Sequence, residues 1–350
     1  MSVTLAVMEG DGIGPDVVAA TLTVLRAADE RHRLGLAFDA VPVGRAAIEA
    51  QGSSWPEGTE ARIAAADGVI LGPVDGYAYP AGQPSPSGKT RQTLDLFANI
   101  RPARPRLPEA ARAFDLVIYR ENTEGFYAAR FMAAGTGEFA PTPDVALAVR
   151  KITRAASLRI ARAAFAAAER RRGRVTAVHK ANVLSLTDGL FLRSVREVAA
   201  EHPRVELDEV IVDAMAALLV RDPARFDVVV TTNMFGDILS DLAGELAGGL
   251  GLAPGLNASE SHAVAQAVHG AAPDIAGRGI ANPAALILSA ALLLAWLGER
   301  RGDGALGEAA HAVEAAVTDA LADPMVRTPD VGGLGTTQGF AEAVARRVAG

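Results

Sequence analysis

Asp237 and Asp241 stand four residues apart in the stretch "FDVVVTTNMFGDILSDLAGELAGGLGLAPGLN" (226–257), where a β-branched run gives way to an apolar-periodic segment. The pattern predicts a strand ending at Asn233 and a helix beginning near Gly236, with both carboxylates on one helix face. Two carboxylates so placed repel each other unless a cation joins them. Hard oxygen donors of this kind suit a divalent ion such as Mg²⁺ or Mn²⁺. The same spacing also describes a solvated acidic face that continues to Glu245, and on these residues alone both readings stand.

A second stretch, "PSPSGKTRQTLDL" (84–96), contains Gly88-Lys89-Thr90, the ending of a phosphate-binding P-loop. That loop needs four residues between its first glycine and Gly-Lys. Here five residues separate Gly82 from Gly88, and two of them are prolines that remove the amides needed to cradle phosphate. These departures weigh against a nucleotide P-loop, which stays only as a third reading that would bind Mg-ATP at Lys89, and a tight turn before a helix is expected. Near the N-terminus, Gly10, Gly12 and Gly14 sit between a predicted strand, "VTLAVM", and a predicted helix, "VVAATLTVLRAADE", but without the spacing of a dinucleotide fingerprint.

These residues need a scaffold, and the composition allows a large one. The chain has 350 residues, half of them apolar, enough for two domains with a substantial core. Further β-branched runs occur at 67–72, 115–120, 174–179, 205–213 and 226–233, most of them separated by long Ala/Leu/Arg segments with helical spacing. The expected class is α/β with a mostly parallel sheet. Cysteine is absent, which removes disulfides and thiolate metal sites and makes a reducing cytoplasm the expected setting. The start of the chain lacks the basic and apolar regions of a signal peptide. The longest apolar run, Ala284 to Leu297, falls short of the ~18 residues of a membrane span and reads as a buried helix, capped by Asn282 with Pro283 in its first turn. Net charge is -7 and the one basic tract, "ERRRGR" (169–174), suits a helix C-terminus, so neither nucleic acid nor membrane is an expected partner. Of 34 basic residues only Lys89, Lys151 and Lys180 are lysines.

Ordered along the chain, "GDGIGPDV" (10–17), "LDLFANIRPARP" (94–105), "VIYRENTEGFY" (117–127), "VHKANVL" (178–184), the Asp237/Asp241 segment, "HGAAPDIAGRGIANP" (269–283) and "RTPDVGG" (327–333) form a set of spaced motifs. This set resembles the β-decarboxylating dehydrogenases, the family of isocitrate, isopropylmalate, homoisocitrate and tartrate dehydrogenases, and most of all its homoisocitrate and isocitrate branch. The resemblance implies that family's two-domain α/β fold, with a large mixed, mostly parallel sheet that is not a Rossmann fold. A large cofactor-binding domain is expected from residues 1–98 and 250–350. A smaller domain, 99–249, is expected to carry the dimer interface, with a clasp arm at about 131–147.

The resemblance also implies roles. Arg91, Arg101 and Arg120 fall on three substrate-binding arginines, a role that suits guanidinium forks meeting carboxylates. Asp237 and Asp241 match metal ligands, joined by Asp213, at the end of a predicted strand, from the neighbouring subunit. Lys180, also reaching across the dimer, matches the lysine that helps deprotonate the substrate hydroxyl, and Tyr127 matches the tyrosine that returns a proton to C3 after carbon dioxide leaves. His269, Gly270, Asp274, Ile275 and Asn282 lie at adenosine positions and Asn182 near nicotinamide. Asp274 can accept hydrogen bonds from ribose hydroxyls and would repel a 2′-phosphate, so NAD is the expected coenzyme, with Mg²⁺ or Mn²⁺.

In such a family the residues before Arg91 read the C3 substituent. Ser85, Ser87, Gly88 and Lys89 offer polar partners that an alkyl group would leave unsatisfied, which favours an anionic or polar arm. Gly88 stands where homoisocitrate enzymes carry arginine, whereas Ser85 matches the serine that meets the distal carboxylate of isocitrate. A phosphonate-bearing malate fits the same groups. Isopropylmalate or tartrate oxidation and a non-catalytic regulatory subunit are the alternatives, although all the reactive residues a regulatory subunit tends to lose are present. A homodimer with shared active sites, or a higher oligomer, is expected. Gln266-Ala267 replaces a Glu-Pro pair common in the family.

Overall fold

The protein, a computed structural model, is described at residues 2–110, 112–127 and 137–350. It divides into two compact units, one of residues 1–94, 106–111 and 247–350, the other of residues 95–105 and 112–246.

In the first unit, β1 (Val3–Met8) runs parallel to both β2 (Leu36–Ala40) and β3 (Gly68–Leu71). Next to β3 lies β12 (Ala263–Ala265), also parallel, followed by the antiparallel β11 (Leu256–Ala258). Helices α1 (Gly14–His32), α9 (Ala284–Arg301), α10 (Gly304–Leu321) and α11 (Thr337–Ala349) pack together over buried apolar faces. The apolar run expected to be buried is α9, but its N-cap is Pro283 rather than Asn282, because the helix starts one residue later than expected; the Asn282 side chain, just outside, still accepts from the Ala284 amide at 3.0 Å. No helix among the described residues is long and apolar enough to cross a membrane.

The segment 106–111, expected in the smaller domain, belongs to this unit. Arg106 anchors it by hydrogen bonds to Glu314 (2.7 Å) and Thr318 (3.1 Å) of α10. Short helices α2 (Gly44–Gln51), α3 (Thr59–Ala65) and α4 (Pro86–Thr93) complete the unit. Ser85 caps α4 and Pro86 occupies its first turn, so the proline-rich stretch makes the expected turn into a helix.

The second unit holds β4 (Ala98–Ala103), β5 (Leu116–Glu121), β10 (Val228–Thr231), β8 (Arg174–His179) and β9 (Glu206–Ile211), neighbours in that order. All pairs are parallel except β4 with β5. Helices α5 (Arg154–Glu169) and α6 (Thr187–Glu201) cover a core that includes Phe97, Phe165, Phe191, Val228 and Val230. The basic tract at 169–174 follows the end of α5, as expected.

Two boundaries differ from the sequence expectation. Strand β9 stops at Ile211, and Asp213 lies in the first turn of α7 (Val212–Arg221), not at a strand end. A carboxylate there is favoured by the unsatisfied amides of a helix start. Likewise β10 stops at Thr231 and α8 (Asn233–Leu246) begins at Asn233 rather than near Gly236. Asp237 and Asp241 thus lie well inside the helix. Residues 131–136 of the expected arm fall outside the described residues. The remainder forms an antiparallel ribbon of β6 (Glu138–Thr142) and β7 (Val145–Ala148), every residue of which is exposed.

Candidate active site

Strand register explains why two arginines meet two aspartates in the second unit. Asn99 of β4 is paired opposite Arg120 of β5, and Arg101 is two residues beyond Asn99, so all three project from one face of the sheet. Helix α8 packs on these strands. It approaches so closely that a Cβ on Gly236 would lie 2.6 Å from both Cβ and Cγ of Arg120.

Both guanidinium groups are buried. Arg101 donates to Asn99 Oδ1 (2.7 Å) and Ser240 Oγ (2.6 Å), and its Nη1 lies 3.2 Å from Asp237 and 3.3 Å from Asp241. Arg120 donates to Asn233 Oδ1 from Nε (2.9 Å) and Nη2 (2.6 Å), and its Nη1 bonds Asp237. Burial lowers the Arg101 pKa below its ordinary value, opposed by Asp237 and Asp241. Burial, followed by repulsion from Arg101, lowers Arg120 to about 10. Burial pushes the Asp241 carboxyl up and Asp237 adds to the shift, while Arg101 and Arg120 pull it back. The carboxylate pair is held together here by arginine charge. All-oxygen donors one turn apart, with Asp241 half exposed, fit a hard divalent cation.

Tyr127 is 49% exposed, and the Arg120 guanidinium lies 5.8 Å from its ring centroid. Lys180 and Asn182 follow β8 in the turn before α6. Lys180 is ion-paired with Asp213 of the same chain, and this hydrogen bond holds the Asp213 carboxyl below its ordinary range. Among the described residues no three carboxylate or imidazole groups converge as a metal site, so Asp237 and Asp241 are brought together and Asp213 does not join them within one chain.

In the first unit, His269, Gly270, Ile275 and Asn282 line one pocket of about 210 Å³ together with Ile13, Gly251, Ala272, Ile280 and Asp330. Asp274, next to Ile275, is exposed and is not part of this lining. The loop rests on the glycine turn after β1: Ile13 N–H donates to Ala271 O at 2.8 Å, and a side chain on Gly12 (φ 57°) would strike that carbonyl. His269 Nε2 is sealed from solvent without a hydrogen-bond partner among the described residues, and burial lowers the imidazole pKa. Asn282 donates to Asp330 Oδ2 at 3.0 Å. An apolar slot with an orphaned ring nitrogen and an amide–carboxylate edge fits a flat heteroaromatic ring such as adenine.

The four polar residues expected to read substrate lie on or beside α4. Ser85 Oγ caps Gly88 N–H at 3.5 Å, Ser87 Oγ donates to Gln266 Oε1 at 3.3 Å, and Lys89 pairs with Glu60 at 3.4 Å. Arg91 occupies the last turn of the helix.

Asn99, Asn233, Ser240, Ile13 and Asp330 were not singled out from sequence. For Asn99 and Ser240 a signal existed: one is two residues from Arg101 on a strand, the other three from Asp237 on a helix. Asn233 and Asp330 become visible only through contacts distant in sequence.

A profile described as isocitrate/isopropylmalate dehydrogenase matches residues 4–344. The chain is 45% identical to the isocitrate/homoisocitrate dehydrogenase of Thermus thermophilus, over 98% of each sequence. It is 41% identical to the 3-isopropylmalate dehydrogenase of Methanothermobacter thermautotrophicus, over 99% of each. A crystal structure of isocitrate dehydrogenase from Methylococcus capsulatus matches with a TM-score of 0.88 at 41% identity, covering 99% of this chain and 100% of that one. With this fold, these spaced motifs and end-to-end similarity, the chain belongs to the isocitrate/isopropylmalate dehydrogenase family and is a dehydrogenase.

Proposed function

We propose that the protein catalyses NAD-dependent, divalent-metal-dependent oxidative decarboxylation of a 3-substituted malate carrying an anionic or polar C3 arm. The observation that carries this reading is the buried Arg101–Arg120 pair set against Asp237 and Asp241. Two forks beside two carboxylates make a site for a carboxylated substrate that arrives with a cation.

Asp237, Asp241 and Asp213 of the partner subunit hold the metal; His269, Gly270, Ile275 and Asn282 hold adenosine, with Asp274 accepting from the ribose hydroxyls and Asn182 near nicotinamide. A bound divalent ion supplies positive charge where the substrate's hydroxyl and carboxylate become electron-rich, and NAD supplies the hydride acceptor. Arg91, Arg101 and Arg120 hold the substrate carboxylates, Lys180 accepts the C2 hydroxyl proton, and Tyr127 delivers a proton to C3 once carbon dioxide has left. The half-exposed Tyr127 side chain, with its ring 5.8 Å from the Arg120 guanidinium, supports that role. At the C3 arm, Ser85, Ser87 and Lys89 favour oxygen-rich groups such as carboxylate or phosphonate, because an alkyl group would strand their polar atoms.

The assay is a panel of 3-substituted malates with NAD and Mn²⁺, followed by NADH absorbance. Turnover is expected with carboxylate or phosphonate arms, weaker turnover with alkyl arms, and a strong preference for NAD over NADP. No NADH with any member would overturn the reading.

A further inference from the structure

Arg150 sits at the root of the β6–β7 ribbon, two residues past β7, and its side chain is turned inward and buried. Its Nη1 forms an ion pair with Asp188, which is fully buried in the first turn of α6, and donates to Thr187 Oγ1 at 3.0 Å. Its Nη2 donates to Thr232 Oγ1 at 3.0 Å. The guanidinium also lies 5.8 Å from the Phe126 ring centroid and 5.2 Å from that of Phe235.

Three of these neighbours adjoin residues given a role above. The second carboxylate oxygen of Asp188 accepts from the Lys180 backbone N–H at 2.8 Å. Thr232 precedes Asn233, which receives two Arg120 hydrogen bonds. Phe126 precedes Tyr127. Such a buried pair is costly to desolvate, and replacing one with apolar residues of similar volume is often neutral for stability or better. What an apolar replacement cannot do is fix the direction of three separate backbone segments.

We propose that Arg150 and Asp188 form a positioning pair for the reaction: Asp188 fixes the turn that presents Lys180, and Arg150 ties that turn to the segments carrying Tyr127 and Asn233. Neither side chain meets the substrate; both act through the residues they hold. The inference rests on the assignment of Lys180 as the base.

The test compares wild type with Asp188→Asn, with the double variant Arg150→Met/Asp188→Leu, and with Thr232→Val. The double variant removes both charges together, so no unpaired ion is left buried. Thr232→Val removes one contact to Arg150 at nearly constant volume. In variants whose circular dichroism and melting show a folded protein, kcat is expected to fall about 30- to 100-fold in the first two and less in the third. KM for the hydroxy acid should change by less than about threefold, and the solvent deuterium isotope effect on kcat should rise as proton removal becomes slower. A loss of folded fraction alone would scale the rate and leave the isotope effect unchanged, so that result overturns the proposal. So does a folded double variant with wild-type kcat. An active Lys180→Met protein would sink the underlying assignment itself, an outcome separable from the other two.

Discussion

His269 shows how one buried atom links a binding pocket to stability. Its Nε2 is shut away from solvent and its pKa is lowered from the ordinary 6.5 by burial. The unfolded chain therefore takes up this proton before the folded one does. The stabilising contribution is complete above about pH 6.5 and is lost as the pH falls through that value toward the folded pKa. Melting temperatures of cofactor-free protein, followed from about pH 8 to pH 5, should decline, and His269→Gln should remove part of the slope. His179, also lowered by burial, supplies a share that remains in the variant. Parallel slopes would exclude His269 from this role. At this scale the cluster of Arg101, Arg120, Asp237 and Asp241 was legible in the sequence, because arginine and aspartate at spaced motif positions announce charge. Asn233 and Arg150 were not, since the amide and the cation gain meaning only from neighbours such as Arg120 and Asp188.

Helix α8 and strand β5 touch at a glycine, and that contact decides where Arg120 stands. In a helix interior, replacing glycine by alanine is ordinarily favourable by about 0.5–1 kcal/mol. At Gly236 the new methyl would meet Arg120 Cβ and Cγ at 2.6 Å, and overpacking of this kind costs about 1–3 kcal/mol. The steric term wins. Gly236→Ala is expected to lower the melting temperature and to raise KM for the hydroxy acid on the order of tenfold, as Arg120 is pushed from its hydrogen bonds to Asn233. An unchanged KM would show that the arginine finds the same place by another route. The elements themselves were readable from apolar periodicity and from prolines and glycines at their ends. Their limits at Ile211 and Thr231 were not, because β-branched residues continue past the last ladder pairing and give no sign that the backbone has turned to helix.

At the scale of the molecule, similarity over nearly the whole length to relatives of known fold agrees with the mostly parallel α/β architecture read from the alternating segments. The return of residues 106–111 to the first unit was beyond that reading, since it depends on Arg106 finding α10 some two hundred residues away. Under the proposed function each site draws Lys180 and Asp213 from the partner subunit and Tyr127 from its own. Mixing and reassembling two dead proteins, Lys180→Met and Tyr127→Phe, should then restore about one quarter of wild-type activity, because half the dimers contain one intact site. No recovery in confirmed mixed dimers would place both residues in a site made by one chain.

The ribbon carries a further consequence. Phe139, Val145 and Leu147 are exposed on it and Val149 just past its end, and a lone two-stranded hairpin has little stability of its own in water. Whatever covers those side chains also protects the backbone beneath them. Under the proposed function, with the ribbon as the clasp between two subunits, dilution that separates them should leave the same peptide bonds open to proteases, and the rate of nicking in the ribbon would then gauge how much of the enzyme is assembled.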